Sequence, residues 1–183
     1  MERRRFIGLV AAAALAALCA APGARAETAK QIDTGVDAAL QRFYAKVAGG
    51  QTFVQSAKAV LVFPNLVKAG IGIGGEYGEG ALRIDGKTTE YYSASAASIG
   101  LQLGAQTHSV VIAFMQQADL DKFRAASGWT AGINGSIALI DVGDGSTLTS
   151  DTAKDPIVYF TFDNRGLMFN LSLEGTKFAK IAR

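Results

Sequence analysis

The amino-acid sequence predicts a single α+β domain with a curved, barrel-like and mostly antiparallel sheet of about seven or eight strands. Three observations support this class. Apolar residues recur at helical spacing over residues 29–48, and after that the periodicity becomes that of strands. Glycines alternate with isoleucines at residues 70–74, which suits a tight bend in a sheet. The pair Asp85-Gly86 is a strong hairpin signal.

Helices are predicted at the start and in the middle of the chain. The first covers residues 29–48, and two glycines end it. Thr52 and Gln55 have capping-box spacing, so a short second helix is expected to begin there. The mid-chain helix covers residues 117–126, with Leu120 and Phe123 facing inward.

Strands are predicted from alternating or compact apolar runs between turn residues. The first run ends at Pro64, and a turn is expected at residues 164–166. The predicted strands cover residues 59–63, 70–74, 88–93, 97–104, 110–115, 137–140, 157–162 and 167–173.

Residues 1–26 have the pattern of an export signal, so residues 27–183 are expected to form the working domain. Three arginines precede an apolar stretch at residues 6–21, and a small-x-small cleavage pattern ends at Ala26. The basic start also resembles a twin-arginine signal, which leaves export in the folded state as an alternative. Another alternative is lipidation at Cys19. We therefore expect a periplasmic or envelope-associated protein of a bacterium.

The order of charges along the chain is more informative than the net charge. Removing residues 1–26 takes away four arginines and one glutamate and leaves 14 basic and 15 acidic residues. No acid occurs from residue 38 to residue 75, where four bases lie, whereas residues 70–163 carry a charge of −6. This arrangement suits docking on an anionic lipid surface. A near-neutral exported domain does not suit nucleic-acid binding.

The glycines at residues 70–75 formally match the dinucleotide-binding fingerprint GxGxxG. That fingerprint requires a helix directly after the glycines, because the amino terminus of the helix holds the pyrophosphate. Residues 76–80 instead contain two glutamates and two further glycines. We therefore predict no cofactor and interpret the glycines as part of a curved strand.

Catalytic and metal sites are not predicted. His108 is the single histidine, so a Ser-His-Asp hydrolase would have to use it, but no nucleophile-elbow motif accompanies it. With no cysteine in the exported part, a zinc site would lack its preferred ligands. Asp141 and Asp144 are similar to the start of a calcium loop, without the EF-hand spacing.

The basic residues of the first half are the candidate lipid contacts. The cations expected to neutralise headgroup charge are Arg42, Lys46, Lys58 and Lys68. On the first helix, Phe43 and Tyr44 lie beside two of these cations, so they are candidates for shallow insertion into a membrane. The alternative is that the apolar stripe of this helix packs on the sheet of its own domain.

An ordered set of motifs resembles the SYLF-domain family. The set covers about residues 45–180, nearly the whole exported part, and its members lie at residues 58–64, 69–82, 92–100, 103–106, 111–114 and 166–175. Two departures stand out. Tyr92 stands where the family has the Trp of a Trp-Ser-x-Pro opening, and Ser95 lies in the proline region.

The resemblance implies a non-enzymatic protein that binds lipid. Eukaryotic members of the family bind phosphoinositide-containing membranes, a yeast member bundles actin, and many secreted bacterial members are named as lipoproteins. Actin is not an expected partner in a periplasm. The leading hypothesis is an envelope protein that docks on an anionic membrane or holds one acyl chain inside its barrel. The alternative is an envelope module that acts through protein contacts, and a Ser/His hydrolase ranks third.

Overall fold

The computed structural model describes residues 26–135, 137–143, 148, 154–166 and 175–183, without the side chains of residues 71–72 and 98–103. The predicted export segment before Ala26, the lipidation candidate Cys19, the acid Asp144 and the predicted strand at 167–173 lie outside the described residues. In chain order the elements are α1 (Ala29–Lys46), α2 (Gly50–Ser56), β1 (Ala59–Ile84), β2 (Lys87–Phe114), α3 (Gln117–Ala125), β3 (Trp129–Thr130), β4 (Ala138–Asp141), β5 (Ile157–Gly166) and β6 (Lys177–Ile181).

The first helix begins at a capping box. The Gln31 backbone N–H donates to Thr28 Oγ1 at 3.3 Å, and the Thr28 N–H donates to Gln31 Oε1 at 2.9 Å. The capping box predicted at Thr52 was wrong, because α2 already begins at Gly50. Its cap is Gly49, which takes a left-handed φ of +80° without steric cost.

The centre of the sheet is one long antiparallel hairpin, β1–β2. Asp85 and Gly86 turn it with φ values of +50° and +75°, as the sequence predicts. On its other edge, β2 pairs with β6 through residues 91–95 and with β5 through residues 106–114. Strand β4 adds parallel to β5, and β3 pairs with β6.

The α+β class and the curved, mostly antiparallel sheet are confirmed. The described sheet has six strands, and counting the two bent strands of the hairpin as two segments each gives the eight segments of a half-barrel. Two predicted boundaries were wrong, because β1 runs through Pro64 and β5 runs through Gly166. Pro64 is tolerated because the register with β2 shifts between Phe63 and Leu66, where a proline interrupts no regular ladder.

The hairpin curls so strongly that two parts of β1 touch each other. A Cβ atom at Gly78 would lie 2.5 Å from the carbonyl oxygen of Asn65, and one at Gly80 would overlap the carbonyl group of Val62. Glycine is therefore required at these positions because one stretch of backbone crosses closely over another. These close contacts explain why the curved strand is rich in glycine.

The sheet separates two apolar clusters. On the concave side, α3 packs Leu120 and Phe123 into a cluster with Phe114, Trp129 and Phe178. On the convex side, α1 and α2 cover the strands, and the predicted stripe of α1 is buried there. The packing of this stripe on the domain's own sheet, which the sequence left as an alternative, is what the structure has.

Candidate functional site

Three strands become irregular at the same level of the sheet. The register between β1 and β2 shifts after Phe63, the register between β2 and β5 shifts between Thr107 and Ser109, and Asp163 in β5 has a φ of +58°. A cavity of about 310 Å³ opens at this level, and we call it the bulge pocket. Its lining residues are Arg42, residues 64–65, residues 107–109, Asp163 and Arg165.

Positive charge surrounds one carboxylate at the mouth of the bulge pocket. Arg42 Nε lies 2.5 Å and Lys46 Nζ 3.2 Å from the carboxylate oxygens of Asp163. Burial would raise the pKa of Asp163, but hydrogen bonds and charges from these two cations hold it below its ordinary value. Arg165 lines the same pocket and has no ion-pair partner among the residues that the structure describes. Among the described residues, Arg42 and Lys46 therefore contact Asp163, and Arg165 is a further cation in the lining of the pocket.

A hydroxyl group holds Arg42 against the strands. Ser109 Oγ donates to the carbonyl oxygen of Pro64 at 2.7 Å and accepts from Arg42 Nη2 at 3.3 Å. The Pro64 carbonyl lies in the first irregularity, and Ser109 follows the second. The two bulges thus orient the guanidinium group that also binds Asp163.

His108 lines the inner side of the pocket. Its side chain is only 2% exposed, and neither ring nitrogen has a hydrogen-bond partner among the described residues. Glu76 Oε1 lies 3.8 Å from Nε2, and burial, followed by the charge of Lys68, lowers the pKa of His108 to about 4. The imidazole is therefore neutral at pH 7, with one N–H donor and one acceptor nitrogen.

A Ser-His hydrolase, the third-ranked alternative, would require a different arrangement around His108. A Ser-His-Asp site needs a hydrogen bond between the serine hydroxyl and the histidine. Ser109 instead bonds to Pro64 and Arg42, and the acid nearest His108 is Glu76. This geometry does not prepare Ser109 as a nucleophile.

Exposed apolar residues adjoin the bulge pocket. A second cavity, of about 330 Å³, is lined by Val67 and Tyr77 together with Glu27 and Glu79, and it shares Asn65 with the pocket. Val67 is 44% exposed and Tyr77 52% exposed, and Ile73, between them in β1, is 73% exposed. Cations and uncovered apolar side chains therefore lie next to each other.

The fold separates the four predicted cations. Arg42 and Lys46 lie at the bulge pocket. Lys58 directly precedes β1 and lies six residues before the pocket residue Pro64. Six residues of extended strand correspond to about 20 Å, so Lys58 is separate from the pocket. Lys68 is buried at 7% exposure, and its charge acts on His108 and Glu76 instead of on solvent.

Neither of the two predicted membrane-contact residues, Phe43 and Tyr44, forms an exposed apolar surface. Phe43 is completely buried, and its ring lies 5.1 Å from that of Phe160 and 5.6 Å from that of Phe162. It belongs to the convex core, so the expectation that it inserts into a membrane does not agree with this structure. Tyr44 is half-buried and lines a cavity of about 340 Å³ between α1, α2 and the hairpin turn.

Sequence reasoning missed Arg165, Asn65 and the role of Ser109 in the pocket. Arg165 lies in a stretch that was assigned to a turn, and no periodicity distinguishes it from a solvated surface charge. Nothing in the sequence indicated the positive φ of Asp163, although Asp is one of the residues that tolerate a positive φ. The only available signal was Pro64, which marks a strand irregularity.

The described residues contain neither a cluster of metal ligands nor a membrane-spanning helix. Within the described ranges, no group of three or more His, Cys, Asp or Glu side chains could hold a metal ion. In those ranges, too, none of the helices combines the length and apolar character needed to cross a bilayer. The glycines of the fingerprint lie inside β1, which continues to Ile84.

The fold and the pocket define the class of the chain as a curled α+β domain with a surface pocket at aligned strand bulges. Residues 95–182 match the family described as "Ysc84: Las17-binding protein actin regulator". This match confirms, over residues 95–182, the resemblance to the SYLF family that the motifs predict. The matched segment runs from the middle of β2 through β6. Comparison with curated proteins gives no match.

Proposed function

We propose that this protein is a non-enzymatic lipid-binding protein of the bacterial cell envelope that docks on anionic membrane surfaces. The family supports a role in binding, since its description names a binding protein. The export pattern of residues 1–26 supports an envelope location, where lipid surfaces are abundant. The docking face is the bulge pocket with Lys46 beside it.

The proposal is carried by the contacts of Arg42 and Lys46 with Asp163 and by the position of Arg165 in the lining of the same pocket. Cations near an anionic leaflet contribute about 1 kcal/mol each, and the attraction acts within about one Debye length. Arg165 lines this face without an ion-pair partner among the described residues and gives it positive charge, on a chain whose exported part is nearly neutral. A positive face on a neutral domain orients that domain on a negative surface.

The adjoining apolar residues supply the second part of a membrane contact. Phe43 is buried, so Val67, Tyr77 and Ile73 take the place that the sequence assigned to the first helix. Tyrosine suits the headgroup region because its ring is apolar and its hydroxyl is polar. The headgroup charge and the shallow apolar boundary would then be met by neighbouring patches.

Docking is favoured over an acyl chain inside the curl. The described concave side is filled by aromatic side chains in mutual contact, including Phe114, Phe123 and Phe178. An acyl chain there would have to displace these rings and their packing energy. A surface contact requires no such rearrangement.

Vesicle co-sedimentation tests the docking proposal. The purified chain is mixed with phosphatidylcholine vesicles that contain or lack phosphatidylglycerol, at low and at high salt. We expect binding only to the anionic vesicles and weaker binding at high salt. Equal binding to both kinds of vesicle, or to neither, would contradict the proposal.

A charge-reversal pair locates the docking face. Lys46→Glu at the docking face should strongly weaken binding, whereas Lys122→Glu on α3 should change it little. Both variants change the charge equally, and both keep residues 1–26, so any contribution of that segment cancels. Equal losses would show that docking depends on net charge alone.

A partner-binding module is the second candidate function. Ile133 is 77% exposed and Leu139 is 44% exposed, and neither lines the bulge pocket. Exposed apolar side chains mark a protein interface where they form a contiguous patch. If this function holds, the Ile133→Ser and Leu139→Ser variants should lose a defined envelope partner and keep any vesicle binding. Unchanged recovery of that partner from both variants would argue against it.

A further inference from the structure

We infer that the bulge pocket is a built site for one phosphate group, so that docking depends on a single localised contact and not only on diffuse charge. The inference rests on the proposed function, because the pocket lies in the face proposed to meet the membrane. The same chemistry suits a lipid headgroup phosphate and free inorganic phosphate.

The donors of the pocket favour an oxyanion. Arg42 and Arg165 are planar guanidinium groups, which bind phosphate through two parallel N–H donors. Arg42 is oriented by Ser109 and Asp163, and Arg165 has no ion-pair partner among the described residues. A phosphate between them would accept hydrogen bonds from both.

The carboxylate in the lining does not prevent anion binding. Asp163 is in contact with two cations, Arg42 at 2.5 Å and Lys46 at 3.2 Å. Its negative charge is therefore compensated within the pocket before a ligand arrives. Arg165 supplies the excess positive charge, which an anion would neutralise.

His108 gives an independent indication that the pocket takes a ligand. A polar side chain that is 98% buried normally finds a partner, because an unsatisfied group loses the full free energy of its hydration. Both ring nitrogens of His108 lack a hydrogen-bond partner within the described part of the chain, and the residue lines the pocket. A bound phosphate oxygen would accept its N–H.

The size of the pocket limits the ligand. About 310 Å³ is at the lower end of small-molecule sites. This volume admits a phosphate with a few attached atoms, whereas a whole lipid has to remain outside. Val67 and Tyr77 lie beside the pocket, where the rest of a lipid would continue.

The first experiment uses inorganic phosphate and no membrane. Titration calorimetry measures phosphate affinity for the purified wild-type chain and for the variants Arg165→Gln and Lys58→Gln. Each variant removes one positive charge at an exposed position. We expect wild type and Lys58→Gln to bind phosphate equally, and Arg165→Gln to bind it about tenfold more weakly. Absence of phosphate binding, or equal weakening in both variants, overturns the inference.

The second experiment adds anionic vesicles and separates the two sources of phosphate. If inorganic phosphate displaces the wild-type chain from phosphatidylglycerol vesicles more strongly than an equal ionic strength of chloride, the ligand is the headgroup. If phosphate binds with the expected variant pattern but the vesicles do not bind, the pocket stands with free phosphate as its ligand, and the docking proposal fails. If the vesicles bind but phosphate does not, docking stands and the phosphate site is disproved.

Discussion

The same hairpin contains a densely packed segment and, a few residues further on, a polar one with unsatisfied groups. Residues 59–63 and 110–114 are buried and pair in regular register. Beyond the bulges, Lys68, Gln106 and His108 are buried as well, and both His108 and Gln106 have atoms without a hydrogen-bond partner in the described residues. Burial is similar in the two segments, but the chemistry of what is buried differs.

The first segment contributes mainly to stability, whereas the second has the features of a binding site. Apolar burial and aromatic contacts stabilise the first segment. In the second segment, buried polar groups reduce stability unless a partner satisfies them. Polar groups retained at such a cost, next to an opening, are typical of binding sites. The following predictions test this distinction.

The largest expected effect is at Phe123 of α3, which packs on the densely packed segment through Phe114. The ring of Phe123 lies 4.9 Å from those of both Tyr92 and Phe114, and Trp129 and Phe178 are also in contact with it. Phe123→Ala should lower the free energy of unfolding by about 4 kcal/mol, because it leaves a cavity among these rings. Urea denaturation measures the loss. Tyr77→Ala, at an exposed position, should change stability by no more than about 0.5 kcal/mol. Similar losses in both variants would contradict the assignment of this core.

A pH-dependent effect is expected at His108. Its pKa is about 4 in the folded chain, below the ordinary value of 6.5, so the unfolded chain binds the proton more strongly between these values. Stability should therefore fall as the pH decreases from 6.5 toward 4, by about 3 kcal/mol in total from this residue. Urea denaturation across this pH range measures the loss.

The matching variant is His108→Gln, which is polar and does not titrate. Glu76 acts in the opposite direction, because burial raises its pKa and its contribution to stability decreases as the pH rises above 4.5. Glu76, Lys68 and Asp141 are present in both proteins, so the difference between their pH profiles isolates His108. Parallel profiles would show that His108 is not buried in the neutral form.

A smaller loss of stability than at Phe123 or His108 is expected at Asp163. Asp163→Asn leaves Arg42 and Lys46 without their acid and should cost about 1 kcal/mol, since these cations are partly exposed. Asn tolerates the φ of +58°, so the backbone should be unaffected. Binding to anionic vesicles should become severalfold stronger, because the docking face gains net positive charge.

Asp85→Asn is the control for Asp163→Asn. Asp85 also has a positive φ, of +50°, and its replacement changes the charge equally, but it lies in the hairpin turn. Vesicle binding of this control should remain near the wild-type level in co-sedimentation. An equal gain in both variants would mean that total charge, and not the docking face, governs binding.

Local patterns predicted most elements but not their lengths. The stripe of α1, the Asp85-Gly86 turn and the helix around Phe123 were correctly predicted, because periodicity and turn chemistry depend on neighbouring residues. Strands β3 and β6 were missed. They are short, and they are held by pairing with residues far away in the sequence.

The candidate site was predicted only in part. Arg42 and Lys46 were identified, but the sequence grouped them with Lys58 and Lys68, which the fold places elsewhere. The basic and acidic regions of the sequence also do not remain separate in space. Asp163, from the acidic part, lies between two cations of the basic part.

By itself, the sequence determined the fold class, the resemblance to a family, the helices and the curvature of the hairpin, since these follow from periodicity, turn residues and ordered motifs. Only the tertiary structure decided which charges face a common pocket, which polar groups are buried without partners, and that Phe43 belongs to the core. The reason is that a pocket depends on distances between residues such as Arg42, Ser109 and Asp163, which are more than 50 positions apart in the chain. These distances depend on strand register and on bulges, and no local pattern encodes them.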